Sequence, residues 1–101
     1  MFAVIWEYEV REGCEAAFEA LYGADGDWVA LFREHDGYIG TELLRDAGQP
    51  RRFVTIDRWS SADAYAAFVT AAKPRYEQID ARGDALTLAE RCIGRFDRTD
   101  A

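Results

Sequence analysis

Positive charge is scarce in this sequence. Its 101 residues contain 12 Lys and Arg against 19 Asp and Glu, so the formal net charge at neutral pH is −7. A protein that binds nucleic acid needs a basic surface to neutralise phosphates. Here the basic residues are scattered, and Arg51 and Arg52 form the one adjacent pair. We therefore expect no nucleic-acid partner.

Histidine, cysteine and long apolar runs are also scarce. There is one histidine, His35, and there are two cysteines, Cys14 and Cys92, which lie far apart in no CxxC spacing. One imidazole and two distant thiols do not make a zinc-ligand cluster, so no metal site is predicted. Two distant cysteines of this kind are usually reduced thiols in a cytoplasmic protein. No apolar run approaches the ~18 residues that span a bilayer, and the N-terminal stretch lacks a signal peptide's basic region. We expect a cytoplasmic protein without a membrane segment.

Apolar residues are abundant by contrast. Half of the chain is hydrophobic and 14% is aromatic, which is enough material for a packed core. Domains typically have about 100–150 residues. The composition therefore predicts a single domain over residues 1–101.

Along the chain, segments with the hydrophobic period of a strand alternate with segments that have the period of a helix. Period-two patterns predict strands over 2–10, 38–45, 52–59 and 88–97. Apolar positions at helical spacing predict helices over 14–22, 28–35, 61–73 and 74–81. Asp27 and Ser60 are expected as N-caps, and Gly83 is expected to end the last helix.

The resulting order is β-α-β-β-α-β. Two βαβ halves that share one antiparallel sheet give a ferredoxin-like α+β fold, with the helices on one face. The central strands carry large apolar groups on both faces, for example Trp6 and Ile5, or Trp59 and Ile56. A sheet with one wet face alternates more cleanly. We therefore expect a second copy of the chain to cover the other face as a symmetric homodimer.

Three segments carry a family resemblance. GDWVALF (26–32), GYIGTELLRD (37–46) and RFVTIDRWSSADAYAAF (52–68) resemble the antibiotic biosynthesis monooxygenase superfamily. The resemblance covers nearly the whole chain and implies a dimeric α+β barrel. Some members of the superfamily oxidise polyketide quinols without a metal or organic cofactor, others degrade haem, and many have no assigned activity. The resemblance thus implies the fold more strongly than the reaction.

The haem-degrading branch can be compared residue by residue. Its members carry an Asn on the first strand and a Trp and an axial His on the second helix. Counting without gaps places these positions at Trp6, Phe68 and Gln78. Glutamine is a poor haem ligand, which leaves the nearby Tyr76 as the alternative. We predict neither haem nor another cofactor.

Two residues are candidates for acid–base chemistry. His35 sits at a predicted helix end, where it either complements the helix dipole or acts as a general base at a pocket rim. Asp57 shares a strand face with Phe53 and Trp59. A carboxylate in such surroundings is either paired, here with an arginine such as Arg91 or Arg95 of a neighbouring strand or subunit, or raised in pKa. In the second case Asp57 could polarise a phenolic ligand or accept its proton.

Aromatic side chains are the other candidate site residues. They come from elements that meet between the sheet and the helices, where they either fill the core or line a pocket for a flat ligand. They are Trp6, Tyr8, Trp28, Phe32, Trp59, Tyr65, Phe68 and Tyr76.

Three functions remain open on the sequence. The first is a homodimeric, cofactor-independent oxygenase of a phenol or quinol, in which Tyr8, Asp57 and Trp59 hold the substrate and His35 is a further candidate base. The second is a carrier or sensor that binds an aromatic metabolite without turnover. The third is a structural dimer with a filled core.

Overall fold

The structure, a computed structural model, describes residues 1–100, and this span forms four strands and four helices. The strands are β1 (Phe2–Val10), β2 (Tyr38–Arg45), β3 (Arg52–Trp59) and β4 (Thr87–Asp97). The helices are α1 (Glu15–Tyr22), α2 (Asp27–Phe32), α3 (Ala62–Ala71) and α4 (Lys73–Asp84). One pair of helices follows β1 and the other follows β3. The predicted ferredoxin-like α+β order is therefore confirmed.

Strand β1 lies at the centre of the sheet. The strand order is β2-β3-β1-β4, and every neighbouring pair is antiparallel. Side chains alternate between the two faces of a strand, so the β1–β3 register decides which residues share a face. On the helix side, Val4 stands opposite Asp57 and Tyr8 stands opposite Phe53.

The core lies between this face and the helices. Phe18, Phe53, Trp59 and Phe68 are each exposed by 1% or less. Their rings meet in tilted contacts, with centroids 4.9 Å apart for Phe18 and Phe53 and 5.0 Å apart for Trp59 and Phe68. None of the helices in residues 1–100 combines the length and the apolar character needed to cross a membrane.

The opposite face of the sheet is apolar in its middle. Ile5, Val54 and Ile56 are half-buried there, and Leu44 and Phe96 are each 47% exposed. An antiparallel sheet that faces water normally carries polar residues on that side. The expectation of apolar groups on both faces therefore holds in the structure.

Two predicted helix starts are wrong by one residue. Ser61 caps α3, because its Oγ accepts a hydrogen bond from the backbone N of Ala64 at 3.1 Å. Ser60 instead stays in the turn, where its N–H donates to the carbonyl oxygen of Gly37 at 2.7 Å. Asp27 is the first residue of α2 rather than its cap. Its carboxylate forms an ion pair with Arg82 of α4.

The sequence predicts that Gly83 ends the last helix, and this prediction is wrong. It lies inside α4, which continues to Asp84. A Cβ at position 83 would overlap the hydroxyl of Tyr22. The glycine is therefore needed for the close approach of Tyr22 to α4 rather than for a helix stop.

A bulge interrupts the pairing of β2 with β3. Tyr38 pairs with Trp59 and Gly40 pairs with Arg58, so Ile39 is the extra residue. After the bulge, Thr41 stands opposite Asp57. Tyr38 and Thr41 are three residues apart, yet both face the helices, which a regular strand would not allow.

The two adjacent serines allow a matched test of the cap. Ser61→Ala removes the hydrogen bond to Ala64 and should lower the free energy of unfolding by about 1 kcal/mol. Ser60→Ala removes a hydroxyl that caps nothing and should change it by less than about 0.5 kcal/mol. Urea denaturation of both variants measures the difference. Equal effects would contradict the assignment of Ser61 as the cap.

Candidate functional site

A pocket of about 130 Å³ lies between the sheet and the helices. A single water needs about 10–15 Å³ of such space, so the pocket is larger than the space that a few waters would occupy. Every strand and every helix described above contributes at least one side chain to its wall. The structure does not show the filled core that the structural-dimer alternative requires.

Seven of the eight aromatic candidates line this pocket. They are Trp6, Tyr8, Trp28, Phe32, Tyr65, Phe68 and Tyr76. Together they provide flat apolar surfaces on both the sheet side and the helix side. Such a wall suits a flat aromatic ligand.

Trp59 does not line the pocket. It is fully buried behind the wall and packs against Phe68 and, with ring centroids 5.7 Å apart, against Phe32. The expectation that Trp59 holds a ligand directly is corrected, because its ring supports two wall residues instead. Its Nε1 has no hydrogen-bond partner among residues 1–100.

His35 also lies outside the pocket. Its ring packs edge-on against Phe68 with a centroid distance of 5.0 Å, and it is not among the residues that line the wall. Within residues 1–100, His35 therefore stands behind a wall residue rather than in the pocket wall, and its role as a base stays a prediction.

Asp57 does reach the pocket wall. Its Oδ1 accepts a hydrogen bond from Thr41 Oγ1 at 2.7 Å. The two arginines expected as partners are engaged elsewhere, Arg91 with Glu7 and Arg95 over the ring of Tyr65 at 5.3 Å. Asp57 therefore has no arginine partner within the described chain, and its pairing with an arginine of a second subunit stays a prediction.

The pKa of Asp57 is strongly perturbed. Burial among aromatic rings raises the pKa of its carboxyl from the ordinary 3.8 to about 6, against the smaller lowering effect of the Thr41 hydrogen bond. The carboxylate is still ionised near neutral pH, but it is a stronger base than an exposed aspartate. A group with this pKa in an apolar pocket is suited to general acid–base chemistry.

Five further residues line the pocket without having been predicted. They are Tyr22, Thr41, Thr55, Asp80 and Glu90. The period-two pattern of β3 places Thr55 on the same face as Asp57, so the sequence carried a signal for it. Thr41 enters only because of the bulge in β2, and no sequence pattern indicates that register.

The tyrosines of the wall stay protonated. Burial raises the pKa of Tyr76 to about 12 and raises the pKa of Tyr8 well above its ordinary value. Both hydroxyls are therefore available as hydrogen-bond donors. The Tyr8 hydroxyl lies 3.4 Å from Thr55 Oγ1.

One group of carboxylates has oxygen atoms at the spacing of metal ligands. Oxygens of Asp80, Asp84 and Glu90 lie within 4.8 Å of one another. Two of these residues are exposed, and burial together with the neighbouring acids raises the pKa of Asp80 and of Glu90. Exposed acidic groups often cluster without an ion. The absence of a dedicated metal site stays a prediction.

The fold and the pocket together define a class. The chain is a ferredoxin-like α+β protein with an aromatic cavity between sheet and helices and a carboxylate in the wall. The family model for antibiotic biosynthesis monooxygenases matches residues 1–76, and the chain belongs to this family. The resemblance seen in the sequence is thereby confirmed.

Solved structures agree on the fold. SnoaB, a cofactor-independent oxygenase from Streptomyces nogalater, superposes with a TM-score of 0.81 at 22% identity, covering 99% of this chain and 94% of its own. A candidate antibiotic biosynthesis monooxygenase from Deinococcus radiodurans gives 0.81 at 17% identity, covering 100% and 95%. A conserved protein from Methanosarcina mazei gives 0.74 at 11%, covering 97% and 92%. At these identities the likeness establishes the fold alone. No curated protein matches the sequence significantly.

The raised pKa of Asp57 makes a prediction about stability. An acid whose pKa rises on folding destabilises the folded protein at high pH, because its charged form is less stable in the folded than in the unfolded protein. The penalty disappears below about pH 4, where it is protonated in both states. A rise from 3.8 to about 6 corresponds to about 3 kcal/mol. Asp57→Asn should therefore raise the free energy of unfolding by up to this amount at about pH 7.5, and the gain should vanish as the pH falls from about 6 to 4.

Urea denaturation across this pH range measures the effect. The exposed Asp25 provides a control, since Asp25→Asn removes a carboxylate without relieving any burial. A stability difference for Asp57→Asn that is the same at every pH would contradict the raised pKa.

Proposed function

We propose that this chain is a cytoplasmic, homodimeric oxygenase that uses no cofactor and acts on an electron-rich phenol or quinol. The observation that carries the proposal is Asp57, a carboxylate with a pKa of about 6 in the wall of an aromatic pocket. The family membership and the likeness in fold to SnoaB, described as a cofactor-independent oxygenase, support it.

The first step is deprotonation of the bound substrate. An unperturbed phenol has a pKa near 10, and an exposed aspartate is more than six pH units below it. The raised pKa of Asp57, about 6, makes the difference in pKa between the phenol and the carboxyl about one third smaller. The phenol O–H bond breaks, its proton moves to the carboxylate, and the electron pair stays on the phenolate oxygen. General-base catalysis of this kind contributes about 10²–10⁴ in rate.

The phenolate then supplies electrons to dioxygen. For a hydroquinone, one atom of dioxygen is inserted into a ring C–H bond as a hydroxyl. The other atom leaves as water with the two phenolic hydrogens, one of which is returned by Asp57, and the product is a hydroxyquinone. The substrate provides all the electrons, so atoms and charge balance with dioxygen as the one co-reactant. The protein's part is to orient the ring between Trp6, Phe68 and the tyrosines and to exclude water.

Oxygen consumption tests this proposal. Purified protein is mixed with a panel of hydroquinones and naphthohydroquinones, with oxygen uptake and quinone absorbance followed against a protein-free control for autoxidation. Asp57→Asn should lower the enzymatic rate by about 10²–10⁴, while Asp25→Asn should match the parent. A variant at Asp57 that is as fast as the parent would contradict the role of this residue.

The same assay separates the alternative function. If the protein binds without turnover, these quinones and quinols should quench the fluorescence of its pocket tryptophans saturably. The same mixtures should consume no oxygen above background. That pair of results would favour a carrier or sensor of an aromatic metabolite.

The homodimer is proposed from the apolar face of the sheet. Leu44, Ile56 and Phe96 lie on the face opposite the helices, and Leu44 and Phe96 are each 47% exposed. A second copy that packs sheet to sheet would remove this area from water. A symmetric dimer is the commonest assembly of identical chains.

Sedimentation velocity tests the dimer. Ile56→Glu places a charge in the middle of the apolar face and should convert the dimer to a monomer. Ala67→Glu places the same charge on an exposed position of α3 and should leave the dimer intact. A parent protein that sediments as a monomer at micromolar concentration would contradict the proposal.

A further inference from the structure

The two oxygens of the Asp57 carboxylate are not equivalent. Oδ1 accepts the hydrogen bond from Thr41 Oγ1 at 2.7 Å. Oδ2 has no hydrogen-bond donor among residues 1–100, and it is not one of the enclosed polar atoms that lack a partner. Because Asp57 lines the pocket, Oδ2 is the oxygen that remains open to a ligand.

The direction of the hydrogen bonds follows from the chemistry of the groups. A hydroxyl carries one proton, and an ionised carboxylate can only accept. The proton of Thr41 must therefore point to Asp57, and the Thr41 oxygen must act as an acceptor elsewhere. The Tyr38 hydroxyl provides that partner, because it donates to Thr41 Oγ1 at 2.8 Å.

The bulge in β2 makes this chain of three groups geometrically available. Since Ile39 is the extra residue, Tyr38 and Thr41 face the same side of the sheet. Thr41 stands directly opposite Asp57 across the β2–β3 pair. Backbone pairing therefore holds the threonine hydroxyl against the carboxylate, independent of any ligand.

We propose that Thr41 is a positioning residue for Asp57, which holds Oδ1 so that Oδ2 alone receives the proton of a bound phenol, and that Tyr38 fixes the direction of the Thr41 hydroxyl. This inference rests on the proposed oxygenase function. In the step concerned, the O–H bond of the phenol breaks and an O–H bond to Oδ2 forms. The hydrogen bond from Thr41 to Oδ1 is kept throughout.

Other groups around Asp57 do not replace Thr41. The tyrosine hydroxyls make no hydrogen bond to Asp57, and Arg95 packs over the Tyr65 ring. Four tyrosines lie close enough to feel the charge of this carboxylate: Tyr8 of β1, Tyr38 of β2, Tyr65 of α3 and Tyr76 of α4. The other titratable groups of the same pocket wall are Tyr22 of α1, Asp80 of α4 and Glu90 of β4. Thr41 is therefore the one residue in the described chain that donates to this carboxylate.

The test is a titration of the Asp57 carboxyl carbon by ¹³C NMR, which needs no ligand. Thr41→Val removes the donor and keeps the shape, so the ionised form of Asp57 loses its hydrogen bond. The midpoint should rise by about one to two pH units. Thr41→Ser keeps the hydroxyl and should keep the parent midpoint. Should Thr41→Val fail to fold, Thr41→Ala removes the same hydroxyl from a smaller side chain.

Thr55→Val is the matched control. Thr55 lines the same pocket and shares a strand with Asp57, but its hydroxyl lies near Tyr8 and makes no hydrogen bond to the carboxylate. Its loss should leave the midpoint close to that of the parent. Equal midpoints for Thr41→Val, Thr55→Val and the parent would overturn the proposal.

A second readout uses the pH–rate profile of oxygen consumption. In Thr41→Val the acid limb should move up with the NMR midpoint, and kcat should fall while KM changes little. A shifted NMR midpoint with no quinol consumed by the parent contradicts the oxygenase function but supports the positioning of Asp57. Normal oxygen consumption with an unshifted midpoint overturns the role of Thr41 and leaves the oxygenase function standing.

Discussion

The alternation of side chains along β1 and β3 is the constraint on which the rest of the structure depends. These two strands form the middle of the sheet, and both carry large apolar groups on both faces. One set packs against the helices and builds the pocket. The other set remains on the open face, where a second copy of the chain is proposed to cover it. Asp57 stands in the inner set, so the same alternation that buries the core also buries a carboxylate.

The burial of this carboxylate lowers the stability of the fold, and it also makes the group a stronger base. Within residues 1–100 the carboxylate has one hydrogen-bond donor and no arginine partner, so its ionised form is stabilised only in part. Buried charges are usually paired, and a raised pKa in a pocket is a marker of a functional site. The group proposed to take the proton of the substrate is therefore also a group whose charge weakens the fold at neutral pH. Functional sites often carry such a conflict.

The fold was largely predictable from the sequence, because period-two patterns give β1, β2 and β3 their observed bounds, and the strand and helix patterns together give all the elements their order. The site was predictable in part. The pattern of β3 places Asp57 correctly on the helix side, but the distribution of hydroxyls and cations around it depends on tertiary register. For this reason the contact from Thr41 was missed, although a raised pKa of Asp57 was one of the two alternatives that the sequence left open. His35 was a candidate because it is the one imidazole in the chain, yet its ring packs outside the wall.

The bulge at Ile39 has a consequence for how such sites change over evolutionary time. In an uninterrupted β2 ladder that began from the Tyr38–Trp59 pair, Gly40 would stand opposite Asp57, and Thr41 would point to the opposite face. A single inserted or deleted residue near the start of this strand can thus exchange the group that contacts the carboxylate while the fold stays the same. Chains that share this architecture at identities near 20% can therefore differ in pocket chemistry through strand length alone. A gapless alignment would not reveal such a difference.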